Sequence, residues 1–332
     1  MSIKYLLPKE GKFYKANLHC HSTNSDGKLT PEQIKQQYKA EGYSVVAITE
    51  HEHIFDYSYL NDEDFLTITG YEVSVSQPQD KPSGQKKTTH LNFFAQDPHC
   101  DTHVAYDPRY AGNVSKYAGP IYNRQYTIES KNYMIEQANK NGFIVGYNHP
   151  AWSLESPEEI LPLKGLFSVE IYNHISETEH HLGYSPETIN AFAEAGYDVG
   201  CIAADDNHNL RSTNCRSAEA DSFGGVTYIK AKEFTYSAIY NALKNKEFYA
   251  STGAQLYDLY LDGRTVYVKC SPCQSLYILT GGRQSKTVIR ESDEITEAAF
   301  ELDPKTTKYI RVVAKTTTGK FAFSKAYFVD FD

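Results

Sequence analysis

What this 332-residue sequence lacks narrows its class before any motif is considered. No apolar run approaches the roughly 20 residues that a membrane-spanning helix needs, so no membrane partner is expected. Residues 1–22 show no apolar segment followed by a small-residue cleavage site, and the cytoplasm is therefore the expected location. There is no block of Lys and Arg, and the net charge is −9. Nucleic-acid backbones recruit dense cationic surfaces, which argues against long nucleic acid as a partner. A small phosphorylated substrate stays compatible, because bound cations can supply positive charge locally. Cysteine is sparse, with six residues, and Cys270 and Cys273 form the single CxxC. A structural zinc site needs a second ligand pair, and none follows. Reduced thiols near a turn are the expectation. Internal repeats, low-complexity segments, a GxSxG elbow and a phosphate-cradling glycine loop are all missing.

What is present is the alternation of an α/β chain. Phe13 to His21 reads as a strand, and Thr30-Pro31-Glu32 as a helix start, with Thr as cap and Pro at the first position. Tyr43 to Thr49 reads as a buried strand, completing a βαβ unit. Further strands are expected over Phe65 to Ser76, Thr89 to Ala95, Phe143 to Tyr147, Leu166 to Tyr172, Tyr197 to Ala203 and Gly225 to Lys230. Helices are expected over Thr127 to Asn141, Pro186 to Ala195 and Thr235 to Lys246. After Gly253 the helical pattern stops, and six strand-like runs follow with Asp262-Gly263 and Thr318-Gly319 placed as hairpin turns. These features predict a first domain over 1–254 and a small all-β, sandwich-like domain over 255–332.

The chemistry lies in where histidines and acids fall. His19 and His21 end the first strand, with Asp26 in the loop behind them. His51 ends the second strand and Glu72 the third, while His90 opens a run. His149 follows the Phe143–Tyr147 strand, and Asp206 and His208 follow the Tyr197–Ala203 strand. In a parallel barrel such strand ends converge on one face. The i, i+2 spacing of His19/His21 points both rings to one side, with Cys20 facing the core, and Asp206/His208 repeats it. Mixed nitrogen and oxygen donors of this kind suit Zn²⁺, Mn²⁺ or Fe²⁺ alike. A lone strand histidine is usually structural, but an ordered series at successive strand ends reads as a ligand set.

His19-Cys20-His21 with Asp26, then Glu50-His51, Gly70-Tyr71-Glu72, His90, Asn148-His149-Pro150 and Asp206-Asn207-His208 together resemble the motifs of the PHP family, named for polymerase and histidinol phosphatase. The resemblance covers roughly residues 13–253. It implies a distorted (β/α)7 barrel, two or three divalent metal ions, and hydrolysis of phosphate esters by a hydroxide held between the first two ions. It also implies a ligand assignment: His19, His21, Glu72 and Asp206 for one ion, Glu72 with His90 and His149 for a second, and Asp26, His51 and His208 for a third. Glu50, where many members carry Asp, is expected to orient a ligand histidine. The leading expectation is a phosphatase or phosphodiesterase acting on a small phosphorylated metabolite or nucleotide. The alternatives are a nuclease acting on short oligonucleotides, a non-phosphate hydrolase, and a metal-binding regulatory module without catalysis. Oligomeric state and the role of the β domain are not readable.

Weaker signals complete the site. Glu72 and Asp206 are expected in the catalytic machinery as well as among the ligands. His174, at a strand end, is a candidate to protonate the leaving group. Arg211 and Arg216, just after Asp206-x-His208, are candidates to contact the phosphoryl group, as is Arg124. The 97–126 loop, with Tyr106, Tyr110, Tyr117 and Tyr122, reads either as a lid or as ordinary loop packing.

Overall fold

Short elements with strong local signals set the frame of the computed structural model, which describes residues 3–78 and 82–331. The Pro31–Ala40 helix starts as its sequence directs. The Thr30 side chain accepts from the Gln33 amide, and the Gln33 side chain accepts from Thr30 in return, satisfying two otherwise orphaned donors. Thr127 caps the Ile128–Lys140 helix by accepting from the Ser130 amide. The Phe143–Tyr147 strand forms over the residues expected.

Five strands make one sheet, in the order Gly200–Ala204, Leu166–Asn173, Phe143–Tyr147, Thr88–Ala95, Gly70–Ser76. The first three are parallel, and the last two run antiparallel to their neighbours. A nine-stranded sheet runs from Gln284–Ile289 through Ser275–Gly281, Arg311–Lys315, Phe321–Phe323, Phe248–Ser251, Val226–Ala231 and Lys12–Asn17 to Val45–Val46 and Leu66–Thr67. Leu18, Ile68, Phe94, Ile144, Phe167, Ile202 and Ile229, drawn from both sheets and their margins, fill one shared core.

The fold is thus α/β, but among the described residues the backbone ladders do not close into a barrel. At one seam Gly225 lies so tightly on Ala204 that a Cβ would fall 2.3 Å from its carbonyl oxygen. There the Thr227 hydroxyl and the Ala203 backbone exchange hydrogen bonds in place of a ladder. At the other seam the expected Phe65–Ser76 strand breaks into Leu66–Thr67 and Gly70–Ser76. Isolated bridges, Cys20 with Asn207 and His51 with Glu72, stitch both seams at the end that carries the histidines.

The last described helix is Tyr236–Lys244, and only strands follow. Lys4–Tyr5, Leu256–Asp262, Thr265–Cys273 and Ile295–Glu301 form an antiparallel sheet. Leu259, Val266, Val268, Leu276, Ile278 and Val312 pack between it and the outer strands of the nine-stranded sheet. Backbone pairing crosses the expected boundary at 254, because Ala250 pairs with Phe323 and Ser251 with Ala322. The Asp262-Gly263 turn closes a hairpin as expected, with Gly263 at φ +58°. Gln284–Ile289 is a strand that the sequence pattern did not reveal, since it is exposed along its length. Among the described residues no helix is long and apolar enough to cross a membrane.

Candidate metal centre

All nine side chains expected as ligands come together at the stitched end of the two sheets. Three clusters form: His19, His21, Glu72 and Asp206; Glu72, His90 and His149; and His21, Asp26, His51 and His208. Glu72 is at their centre. Its Oε1 is 3.2 Å from His19 Nε2, 3.0 Å from His90 Nδ1 and 3.4 Å from His149 Nε2, while Oε2 is 2.9 Å from His51 Nδ1. Asp206 Oδ1 lies 3.1 Å from His19 Nε2 and 3.0 Å from His21 Nε2. His208 Nε2 is 3.3 Å from Asp26 Oδ1.

These atoms crowd together without satisfying one another. His19 Nε2, both His21 nitrogens, Glu72 Oε2 and Asp206 Oδ1 are buried with no hydrogen-bond partner. A buried polar atom without a partner costs on the order of 1–3 kcal/mol, and five in one cluster demand something to bind. Divalent cations fit the donor set of imidazoles and carboxylates.

Charge and burial compete across the pocket. Burial opposes a charge on His19, yet Asp206, Glu72 and Glu170 outweigh it and hold its pKa well above the ordinary value. For His21, burial and the neighbouring His51 and His208 act together and bring the pKa down to about 3, which leaves a neutral ring ready to ligate. Burial raises Glu72, but the surrounding histidines, His90 and His19 foremost, prevail and hold the carboxyl well below its usual range.

A polar shell that sequence reasoning missed aims these side chains. Glu170 accepts from His19 Nδ1 at 2.8 Å and from the His149 amide at 2.8 Å. Asn148 donates to Glu72 Oε1 at 2.7 Å, and Asn173 donates to Asp206 Oδ2 at 3.2 Å. Asp205 is buried and accepts from Tyr38 and from the amides of Phe223, Gly224 and Gly225, yet burial still pushes its pKa up to about 6. It pins the loop that carries Asp206. The i, i+2 strand geometry read for Asp206/His208 does not hold, because the strand ends at Ala204 and Asp206 sits at φ +55°. His19 and His21 likewise lie beyond the end of the Lys12–Asn17 strand. Cys20 faces the core, as read.

Other expectations are corrected. The Glu50 carboxylate bonds to none of the clustered histidines. It accepts from Ser22 N at 3.2 Å, from the Ser22 and Ser25 hydroxyls and from Tyr57 OH at 2.7 Å, so it braces the loop that carries Asp26. Arg124 is buried, with Nη1 2.7 Å from Glu52 Oε2, and anchors the 97–126 loop. In that loop Tyr106 bonds the Gly112 carbonyl and Tyr122 stacks on Tyr133, which is ordinary packing away from the ligand pocket. Arg216 pairs with Glu41. Arg211 is mostly exposed and reaches only the rim, with Nε 3.3 Å from Glu179.

His174 does not line the ligand pocket. Its Nδ1 is 2.8 Å from Tyr172 OH, and its ring packs on Gly224, where a Cβ would fall 2.0 Å away. His180, at the other end of the same seven-residue helix, lines the pocket. Burial lowers the His174 pKa from 6.5 to about 4. The unfolded chain therefore binds a proton between those values that the folded one does not. The contribution of His174 to stability should be full above pH 6.5 and fall as pH drops toward 4, by an amount on the order of 3 kcal/mol at most. In His174→Phe that fall should become shallower, as read from urea midpoints at pH 7 and pH 4.5. Parallel curves for the two proteins would show that His174 titrates normally.

By chemistry, then, the pocket marks a metal-binding α/β protein. Residues 17–144 match the model of the PHP domain, so the resemblance read from the motifs holds over that segment, while His149, Asp206 and His208 lie beyond it. No curated protein matches. Among solved structures, a two-domain protein from Bacteroides vulgatus containing a predicted PHP-like metal-dependent phosphoesterase is 14% identical, with a TM-score of 0.47 and 98% of each chain covered. A Bifidobacterium adolescentis protein described as a metal-dependent phosphoesterase is 16% identical, with a TM-score of 0.35, over 64% of this chain and 93% of that one. An amidohydrolase from Chromobacterium violaceum, with bound sulfate and no metal, is 16% identical, with a TM-score of 0.36, over 58% of this chain and 87% of that one.

Proposed function

We propose that the protein is a metal-dependent phosphoesterase acting on a small phosphorylated substrate. The observation that carries this reading is the set of buried, partnerless donor atoms on His19, His21, Glu72 and Asp206. His19, His21, Glu72 and Asp206 would hold one ion, Glu72, His90 and His149 a second, and Asp26, His51 and His208 a third. Divalent ions in these places supply Lewis-acid charge to a phosphoryl group and lower the pKa of bound water.

The chain's own residues prepare the site. Glu170 holds His19 by Nδ1 and so presents Nε2 to the pocket. The Asp206 carbonyl does the same for His208, and Ser153 for His149. Fixing the second nitrogen sets the tautomer and the ring direction. His180 takes the leaving-group role once expected of His174, because it lines the pocket outside the ligand clusters. The two sheets are read as an opened version of the distorted seven-stranded barrel, and the strands after 254 as a second domain.

Protein loaded with Mn²⁺ or Zn²⁺ should hydrolyse p-nitrophenyl phosphate, lose activity to a chelator and regain it on metal addition. Full metal occupancy without turnover of any phosphate ester would overturn the reading. A comparison of sugar phosphates with nucleoside 3′,5′-bisphosphates narrows the substrate.

A further inference from the structure

The pocket above the ligand clusters holds about 250 Å³, and its walls differ from its floor. The floor is histidine and carboxylate. The walls include Trp152, Ile175 and Leu210, with Ser176, Glu179 and His180 between them. Trp152 is fixed edge-on by His149 at 4.8 Å and lies 5.4 Å from His90. Leu210 is 52% exposed, an apolar side chain left at the mouth of a polar site. Among the described residues no Lys or Arg lines this pocket, and the rim cation Arg211 is engaged by Glu179.

From this we infer that the organic part of the substrate is a flat, apolar group seated against Trp152, Ile175 and Leu210, and that it carries no second anionic group. The inference rests on the phosphoesterase reading and extends it to the leaving group. Above the ligand clusters a second phosphate or carboxylate meets, among the described residues, no lysine or arginine free of a carboxylate partner, and it would face Glu179. An aromatic ring instead removes apolar wall from water, which favours binding in proportion to the area covered. Leu210 and Ile175 then have a reason to stand where a pocket for a second phosphate would place Arg or Lys.

The sequence contains one tryptophan, so emission excited beyond tyrosine absorption reports Trp152 directly and needs no turnover. The probes are phenylphosphonate, methylphosphonate and 3-phosphonopropionate, titrated into the Mn²⁺-loaded protein. Phenylphosphonate should bind about tenfold more tightly than methylphosphonate and shift the emission, while 3-phosphonopropionate should bind no better than methylphosphonate. Leu210→Ser keeps the reporter and should narrow the phenyl preference to about threefold. Calorimetry on Trp152→Phe, which keeps a flat ring, should retain the preference, and on Trp152→Ala should lose it. Equal affinities for the phenyl and methyl probes, or a preference untouched by both Leu210→Ser and Trp152→Ala, would overturn the inference while leaving the phosphoesterase reading intact. If none of the three phosphonates binds the metal-loaded protein, the phosphoesterase reading falls and this inference falls with it.

Discussion

Glu72→Gln should purify folded but short of metal, and kcat in the proposed phosphoesterase reaction should fall by about 10³-fold. The substitution keeps shape and the Asn148 contact but removes one negative charge. That charge faces His19, His90 and His149 through one oxygen and His51 and His21 through the other, at 2.9 to 3.5 Å. Glu72 belongs to two of the three clusters, so both lose their carboxylate bridge together. Without it, Asp206 and Asp26 are the only carboxylates left among the proposed ligands. Metal analysis should show at least one ion lost per chain, and raising Mn²⁺ should restore only part of the rate. A variant with full metal content and wild-type kcat would sink the ligand assignment at its centre.

How far the sequence could be read follows from what each residue has nearby. The histidines that gather in the pocket were readable because strand ends are readable, and strand ends are where an α/β sheet gathers its side chains. Glu170 was hidden because it sits inside the apolar run Leu166–Asn173, which reads as core, and only the fold shows His19 beside it. Arg124 and His174 were misplaced for a related reason. Each is a lone residue with no spacing to test against, and its partner, Glu52 or Tyr172, gives no sign in sequence that it is a partner. His180 reaches the pocket because a seven-residue helix, His174–His180, follows directly on the strand. At one seam between the sheets Gly225 lies against Ala204, a tight backbone approach that has no signature in periodicity. The antiparallel turn of Thr88–Ala95 was equally silent, since a buried strand looks the same in either direction.

The second large effect concerns stability, at a pair no motif announced. Lys131 and Glu155 are both buried and form an ion pair behind the His90–His149 side of the site. Glu155 also accepts from Tyr126 at 2.6 Å, from Thr89 at 2.6 Å and from the Tyr147 hydroxyl. Thr89 adjoins His90, and Tyr147 lies two residues before His149, so one carboxylate ties two ligand-bearing strands to the Ile128–Lys140 helix. Lys131→Met should destabilise the fold by about 3–5 kcal/mol, because it strands a buried carboxylate with only neutral donors. Lys131→Met combined with Glu155→Gln should recover about half of that loss, since the amide keeps the hydroxyl contacts and carries no charge. Denaturant midpoints for the two single variants and the double give the coupling directly. If the single Lys131→Met costs less than about 1 kcal/mol, as an exposed pair would, then water reaches Glu155 and the network does not brace the site. If instead the double variant is as unstable as the sum of the singles, the two groups act independently, and the positions of His90 and His149 depend on packing alone.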